Sequence, residues 1–237
     1  MKKIFSAFLL LFLATAVFAQ KVVNDANAEA RQVGSFHAVS ISNSFKVIIT
    51  QGNDEGLAVS ASDKEDMQHI KTTVENGVLK IWFDDKKKFW PRNRKLRAYI
   101  SAKTLDAIRA SGASDIDIEG TLTASSMKIS LSGASDLSGR LVVNGNLDVN
   151  LSGASDITIS GSAQAADFDL SGASDVKGYD FSTGTCKVEA SGASGVHITV
   201  DKELSARLSG ASSVSYKGSA MTRDIKTSGA SSISRKS

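Results

Sequence analysis

Four aspartates recur in one short context: Asp115, Asp136, Asp156 and Asp175 each close the letters Ser-Gly-Ala-Ser-Asp. If equivalent positions stack in a parallel β-structure, their carboxylates form a column with about 4.8 Å between neighbours. Like charges that close repel unless protonated, fanned into water or bridged by a cation. Calcium takes such oxygen ligands and recurs in some β-roll repeats, which makes these four the candidate metal ligands. The plainer reading is that each Asp hydrogen-bonds its own turn and is solvated. In the next three copies the position becomes Gly195, Ser213 and Ser232, so the repeat does not need the charge and the solvated turn is preferred.

A second cluster carries the opposite sign. Lys86, Lys87, Lys88, Arg92, Arg94, Lys95 and Arg97 surround Phe89 and Trp90 in the run KKKFWPRNRKLR. Cations interleaved with aromatics suit acidic glycan, lipid phosphates or another acidic cell-surface component. The alternative is a loop kept soluble by charge. Loops on rigid scaffolds carry function, so this segment is the principal binding expectation.

Other residues point to less. Glycoside hydrolysis needs two carboxyls at a set separation beside a cleft, and the short segments around the Asp column leave no length for cleft walls. A polysaccharide-active enzyme of β-helix type is therefore the weaker alternative. His37, His69 and His197 are scattered, whereas metal ligands must converge. Cys186 is the only cysteine, so no internal disulfide forms, and its place in an apolar column makes it a buried small side chain.

These residues ride on a repeat. The core Ser-Gly-Ala-Ser begins at Ser111, Ser132, Ser152, Ser171, Ser191, Ser209 and Ser228, at intervals of 18 to 21 residues. Three positions before each copy stand Ile108, Ile129, Val149, Phe168, Val188, Ala206 and Ile225, with polar residues between the apolar columns. Alternation with period two marks strands with one buried face. A unit this short cannot bury its apolar face alone but can when stacked on its neighbours. The expected fold is therefore all-β: a parallel β-helix, or solenoid, with rungs of about 20 residues, right-handed by the general chirality of parallel crossovers. Glycine would supply the tight corner, the alanine would sit inside the bend, and stacked serines would hydrogen-bond between rungs.

Residues 101–237 hold the repeat, and residues 20–100 read as a β-region that starts and caps it. There Asn76-Gly77 predicts a hairpin, and residues 63–70 predict a short helix with Ser62 as N-cap. Arg223, Thr227 and Arg235 place polar side chains in once-apolar columns, as a soluble last rung requires. Residues 1–19 read as a signal peptide, with Lys2 and Lys3, an apolar run and small residues before Gln20. The expected setting is periplasmic, outer-surface or secreted. No cysteine follows the cut for lipid attachment, and no later segment is apolar enough for a transmembrane helix. Cleavage leaves 26 basic against 25 acidic residues, a balance that excludes nucleic-acid binding by global charge.

The strings SFHAVSISNSFKVIITQG and ENGVLKIWF, followed by repeated SGASD, resemble the family labelled putative auto-transporter adhesin, head GIN domain, over about residues 31–232. The resemblance implies a β-helix-like structure in the cell envelope or at the surface, and it supplies no catalytic residue, cofactor or ligand. The expected role is non-enzymatic adhesion or glycan binding. The enzyme above and a structural protein that self-associates through its solenoid ends are the alternatives.

Overall fold

The computed structural model describes residues 25–84 and 94–237. In its regular half the repeat columns become strands β8 (Ala107–Ala110), β9 (Asp115–Ala124), β10 (Met127–Leu131), β11 (Asp136–Leu151), β12 (Asp156–Leu170), β13 (Asp175–Ala190) and β14 (Gly195–Leu208). Three more follow, β15 (Ser213–Lys217), β16 (Met221–Thr227) and β17 (Ser232–Arg235). All pair in parallel, each rung upon the next, as a β-solenoid. Ile108, Ile129, Val149, Phe168 and Val188 are successive register partners, each buried. Cys186 lies in the neighbouring column between Ala166 and Leu204, and burial pushes its thiol far above the ordinary range.

The corners explain the recurring letters. Each corner glycine is left-handed, with φ between 72° and 91°. A Cβ on Gly153 would stand 2.4 Å from the carbonyl oxygen of Gly133, and the same contact recurs from rung to rung. The alanine N–H after each glycine donates to the glycine carbonyl one rung away, as in Ala134 to Gly112 at 2.8 Å and Ala154 to Gly133 at 2.7 Å. Two further ladder bonds flank it, Ser152 N–H to Leu131 O and Asp156 N–H to Ser135 O. Backbone thus meets backbone too closely for any side chain.

The alanine is not inside the bend. Ala113, Ala134, Ala154 and their equivalents face solvent, and the second serine turns inward, with Ser135, Ser155 and Ser174 fully buried. After the left-handed glycine the chain resumes strand alternation with the serine on the core side. A hydroxyl is needed there because the first serine's carbonyl takes no part in the ladder. Ser135 Oγ donates to Ser132 O at 3.0 Å, and Ser155 Oγ to Ser152 O at 3.0 Å. The same hydroxyl accepts the N–H of the serine one rung away at 3.4–3.5 Å, so serines do bond between rungs, though longer than within the corner.

The N-terminal region joins the same stack. Strands β1 (Glu29–Arg31), β2 (Ala38–Ile41), β3 (Phe45–Gln51) and β4 (Gly56–Ala61) precede helix α1 (Lys64–Met67), followed by β5 (Ile70–Glu75), β6 (Val78–Phe83) and β7 (Leu96–Ala102). β2 lies parallel between β6 and β8, and β3 parallel between β7 and β9. Ser42-Asn43-Ser44 forms their corner: Ala113 N–H donates to Asn43 O, and Asn43 takes the left-handed angle at φ 79°. Asn tolerates this angle better than most side chains, and its Oδ1 accepts the Phe83 N–H at 3.0 Å. β4 pairs antiparallel with β7, β1 with β4, and β5 with β6, which covers this end. The β5–β6 hairpin turns at Asn76-Gly77, both at positive φ as a primed turn demands. The helix is shorter than expected and its N-cap is Asp63, whose carboxylate accepts the Glu65 N–H at 2.9 Å, one residue after the expected Ser62.

At the other end β16 carries a bulge. Ser205 pairs with Arg223 and Arg207 with Lys226, so Asp224, at φ 47°, and Ile225 together oppose Ala206. All of β16 is exposed. A bulged edge with alternating charges resists pairing with another strand.

Two glycines separate backbone strain from crowding. Gly120 and Gly153 share φ 81°, but a Cβ on Gly120 would meet nothing within 4 Å. Gly120→Ala should cost about 1–2 kcal/mol, the left-handed penalty alone. Gly153→Ala should cost at least about 3 kcal/mol in urea denaturation, because the rungs must also part. Equal costs would show that the corner contact is not limiting.

Candidate binding surface

The aspartate column exists as expected. Asp115, Asp136, Asp156 and Asp175 are consecutive register partners, continued by Gly195, Ser213 and Ser232 on one side and by Lys46 on the other. Two lysines pair with it. Lys46 Nζ lies 3.4 Å from Asp115 and 3.1 Å from Asp117, while Lys177 Nζ lies 2.9 Å from Asp156. The Lys177 ammonium is held above its ordinary range by its Asp156 hydrogen bond first, with Asp175 and Asp136 adding. The Asp117 carboxyl is held low, chiefly by the Ser138 hydroxyl at 2.7 Å and then by Lys46. Among the described residues no cluster of three or more His, Cys, Asp or Glu is arranged to hold a metal. His37 pairs with Asp106 at 3.0 Å, His69 lies against Phe83, and His197 bonds Tyr179, so the three histidines do not share a site.

β6, which ends at Phe83, and β7, which starts at Leu96, pair in parallel with the two strands that flank the Ser42-Asn43-Ser44 corner. Lys86, Lys87, Lys88, Phe89, Trp90 and Arg92 lie outside the described residues, as do residues 1–19. Arg94 and Arg97 are engaged by the protein itself. The Arg94 guanidinium sits 4.6 Å over the Phe83 ring, with Nε 4.0 Å from the buried Asp66. Arg97 donates to Asp25 Oδ2 at 3.2 Å. Lys95 is exposed, and near the start of the segment Trp82 is one of the few large apolar side chains open to solvent.

Asp25 ties the N-terminal arm to this end. Its carboxylate accepts from Ser60 Oγ at 2.7 Å, Tyr99 OH at 2.9 Å and the Asn27 N–H at 3.1 Å, besides Arg97. The Ser60 hydrogen bond leads the causes that lower its pKa to about 2, against burial.

A groove on the second face escaped the sequence reading. Between Gly178, paired with Ile198, and Ser182, paired with Thr199, β13 holds three residues without partners in β14. Phe181 of this bulge is fully buried and pairs with Gly161, while Tyr179 and Asp180 face outward. Thr199 Oγ1 donates to Tyr179 O at 2.7 Å, the His197 ring packs 5.3 Å from the Tyr179 ring, and Lys217 Nζ lies 5.1 Å from its centroid. Beside Tyr179 runs an open groove of about 600 Å³ floored by Thr158, Ile159 and Ser160, with Ser138, Arg140 and Lys177 along it. The available signal was spacing: 20 residues separate Ser171 from Ser191, but only 18 separate Ser191 from Ser209. An aromatic residue in the longer rung, within Lys177-Gly178-Tyr179-Asp180, marked what protrudes.

Two outcomes follow. A folded pKa below the unfolded value means that Asp25 stabilises the fold fully above its ordinary value of 3.8 and loses that effect as pH falls through about 2. Wild type should exceed Asp25→Asn by about 2 kcal/mol at pH 7, with the gap closing toward pH 2 in denaturant titrations. A constant gap would remove the carboxylate from this role. With lysines already set against the aspartates, the melting temperature should stay flat in millimolar calcium. A rise abolished by Asp136→Asn would establish a calcium site instead.

Among the described residues no helix is long and apolar enough to cross a membrane. Solved structures share the fold. A putative adhesin from Bacteroides fragilis superposes with TM-score 0.83 at 21% identity, covering 88% of this chain and 96% of that one. A putative lipid binding protein from Parabacteroides distasonis gives 0.67 at 18%, covering 90% and 98%. A putative adhesin from Parabacteroides merdae gives 0.66 at 16%, covering 89% and 96%. No curated protein matches. Residues 35–220, and with them both the corner ladder and the Tyr179 groove, match one family over most of the chain: the protein belongs to the family described as putative auto-transporter adhesin, head GIN domain.

Proposed function

We propose that the protein is a non-enzymatic, exported surface-binding module that holds acidic glycan, or another acidic cell-surface component, through segment 86–97. One observation carries this reading: between the end of β6 at Phe83 and the start of β7 at Leu96 the sequence has twelve residues rich in Lys, Arg and aromatics, where the neighbouring rung has three between Ile41 and Phe45. A rigid stack that presents one long basic excursion concentrates positive potential at one place. The exposed Trp82 and Lys95 extend the same chemistry onto described surface. A leader at residues 1–19 would deliver the chain to the envelope.

The enzyme alternative has weaker support, since the aspartates follow one another along a single column, two of them paired with lysines, instead of facing each other across a cleft. End-to-end assembly is also less well supported. One end is covered by antiparallel strands and the other is bulged and charged. The relative named as a putative lipid binding protein raises an anionic lipid headgroup as a second source of the same phosphate or carboxylate chemistry.

The test compares wild type with a Lys87→Ala, Trp90→Ala, Arg92→Ala variant. Arg94 and Arg97 are left in place because they brace the cap. Retention is measured on immobilised polygalacturonate and heparin, and on phosphatidylglycerol against phosphatidylcholine vesicles. The variant should bind at least about tenfold more weakly, with affinity falling as salt rises. Loss on the vesicles alone would assign lipid as the ligand; unchanged retention everywhere would refute the reading.

A further inference from the structure

We propose that the groove beside Tyr179 is a binding site for a neutral hexopyranose unit of a polysaccharide. The site lies on a different part of the stack from the basic segment and does not depend on it. Its volume of about 600 Å³ falls inside the usual span of ligand sites, roughly 300–1,000 Å³. Being open along the face, it can accept one unit of a chain that continues in both directions.

The lining chemistry selects the ligand. Tyr179 is pushed out of register by the β13 bulge, and contacts from the two following rungs, His197 and Lys217, hold its ring in place. A fixed aromatic ring beside a groove offers a surface for the C–H face of a pyranose at little entropic cost. Around it stand hydroxyls and charges with nothing to bind. The side chains of Thr158, Ser160, Arg140 and Asp180 make no hydrogen bond or ion pair with described residues. Arg140 offers a planar set of donors, Asp180 two acceptor oxygens, and the hydroxyls both roles, which is the complement of a ring of sugar hydroxyls.

Charge argues against an ionic ligand. Lys177 is already paired with Asp156 at 2.9 Å, and Arg140 is matched by Asp180 within the same lining. Within the lining, with Asp156 set against Lys177, no net charge remains to draw an ion. Register shifts occur on this face in other rungs too, as at Glu119 and Gly120 of β9, but only the β13 bulge sets an aromatic ring beside the groove, so the site does not repeat along the described solenoid.

The experiment titrates isotopically labelled mature protein with cellohexaose, laminarihexaose, maltohexaose and mannohexaose, and follows amide NMR shifts. At least one should give saturable shifts centred on Thr158, Ser160, Tyr179 and His197. Tyr179→Ala should weaken binding about tenfold, while Tyr179→Phe should keep most of it. If Tyr179→Ala is poorly folded, the exposed pair Arg140→Ala with Asp180→Asn must show the loss instead. The Lys87→Ala, Trp90→Ala, Arg92→Ala variant should bind these neutral sugars as wild type does, so failure of the end-segment reading leaves this one standing. Saturation with none of the four sugars, shifts confined to other faces, or full binding by the groove variants would each overturn the proposal.

Discussion

The whole molecule depends on how closely one rung's backbone approaches the next at the Ser-Gly-Ala-Ser corner. There the alanine N–H of one rung meets the glycine carbonyl of its neighbour at 2.7–2.8 Å, with the glycine turned left-handed. Three backbone hydrogen bonds per corner are gained, and all space for a Cβ is lost. The second serine completes the corner by satisfying the first serine's carbonyl, which the ladder leaves over. Identical letters recur because each rung must fit the same constraint from both sides. Among the described corners only that of Ser42-Asn43-Ser44 departs from it, with Asn43 in place of glycine and its side chain turned to the Phe83 N–H.

Strict register has an electrostatic consequence. Equivalent residues become neighbours, so any charged column is self-repelling unless opposite charges enter it. Lys46 and Lys177 do this for the aspartates, and Lys128 with Asp148 and Arg207 with Glu189 do it elsewhere, each pair spanning adjacent rungs. Such exposed pairs contribute little individually to stability. Their effect is to let the ladder keep its register with charged side chains on its faces. Among the described residues the break that sets an aromatic ring beside a groove is the Tyr179 bulge in β13.

Much of the architecture was legible because it is written in periodic columns. The apolar positions at Ile108, Ile129 and Val149 gave the strands, and the recurrence gave the stacking. Asn76-Gly77 gave the hairpin, since local turn chemistry sufficed. What was missed involves either substitution or long-range order. Asn43 performs the glycine's job without its letter, although Val39, Ile41 and Val47 stand in the repeat's own apolar columns. That the strands of residues 38–51 lie between β6/β7 and β8/β9, out of chain order, is decided by long-range pairing and has no local mark. Alanine and serine exchanged their expected places because the handedness of one glycine fixes which next residue points inward. Arg94 and Arg97 read as free cations until Asp66 and Asp25, distant in sequence, came to lie beside them.

In-register stacking can be measured as a ruler. The corner alanines face solvent, and the lone cysteine is buried, so spin labels can be placed on Ala113 paired in turn with Ala193, Ala211 and Ala230. Electron–electron dipolar spectroscopy should return separations that lengthen in steps of about 4.8 Å, one step per rung. Separations that do not grow with rung number would contradict the stacked corner and every surface assigned from it.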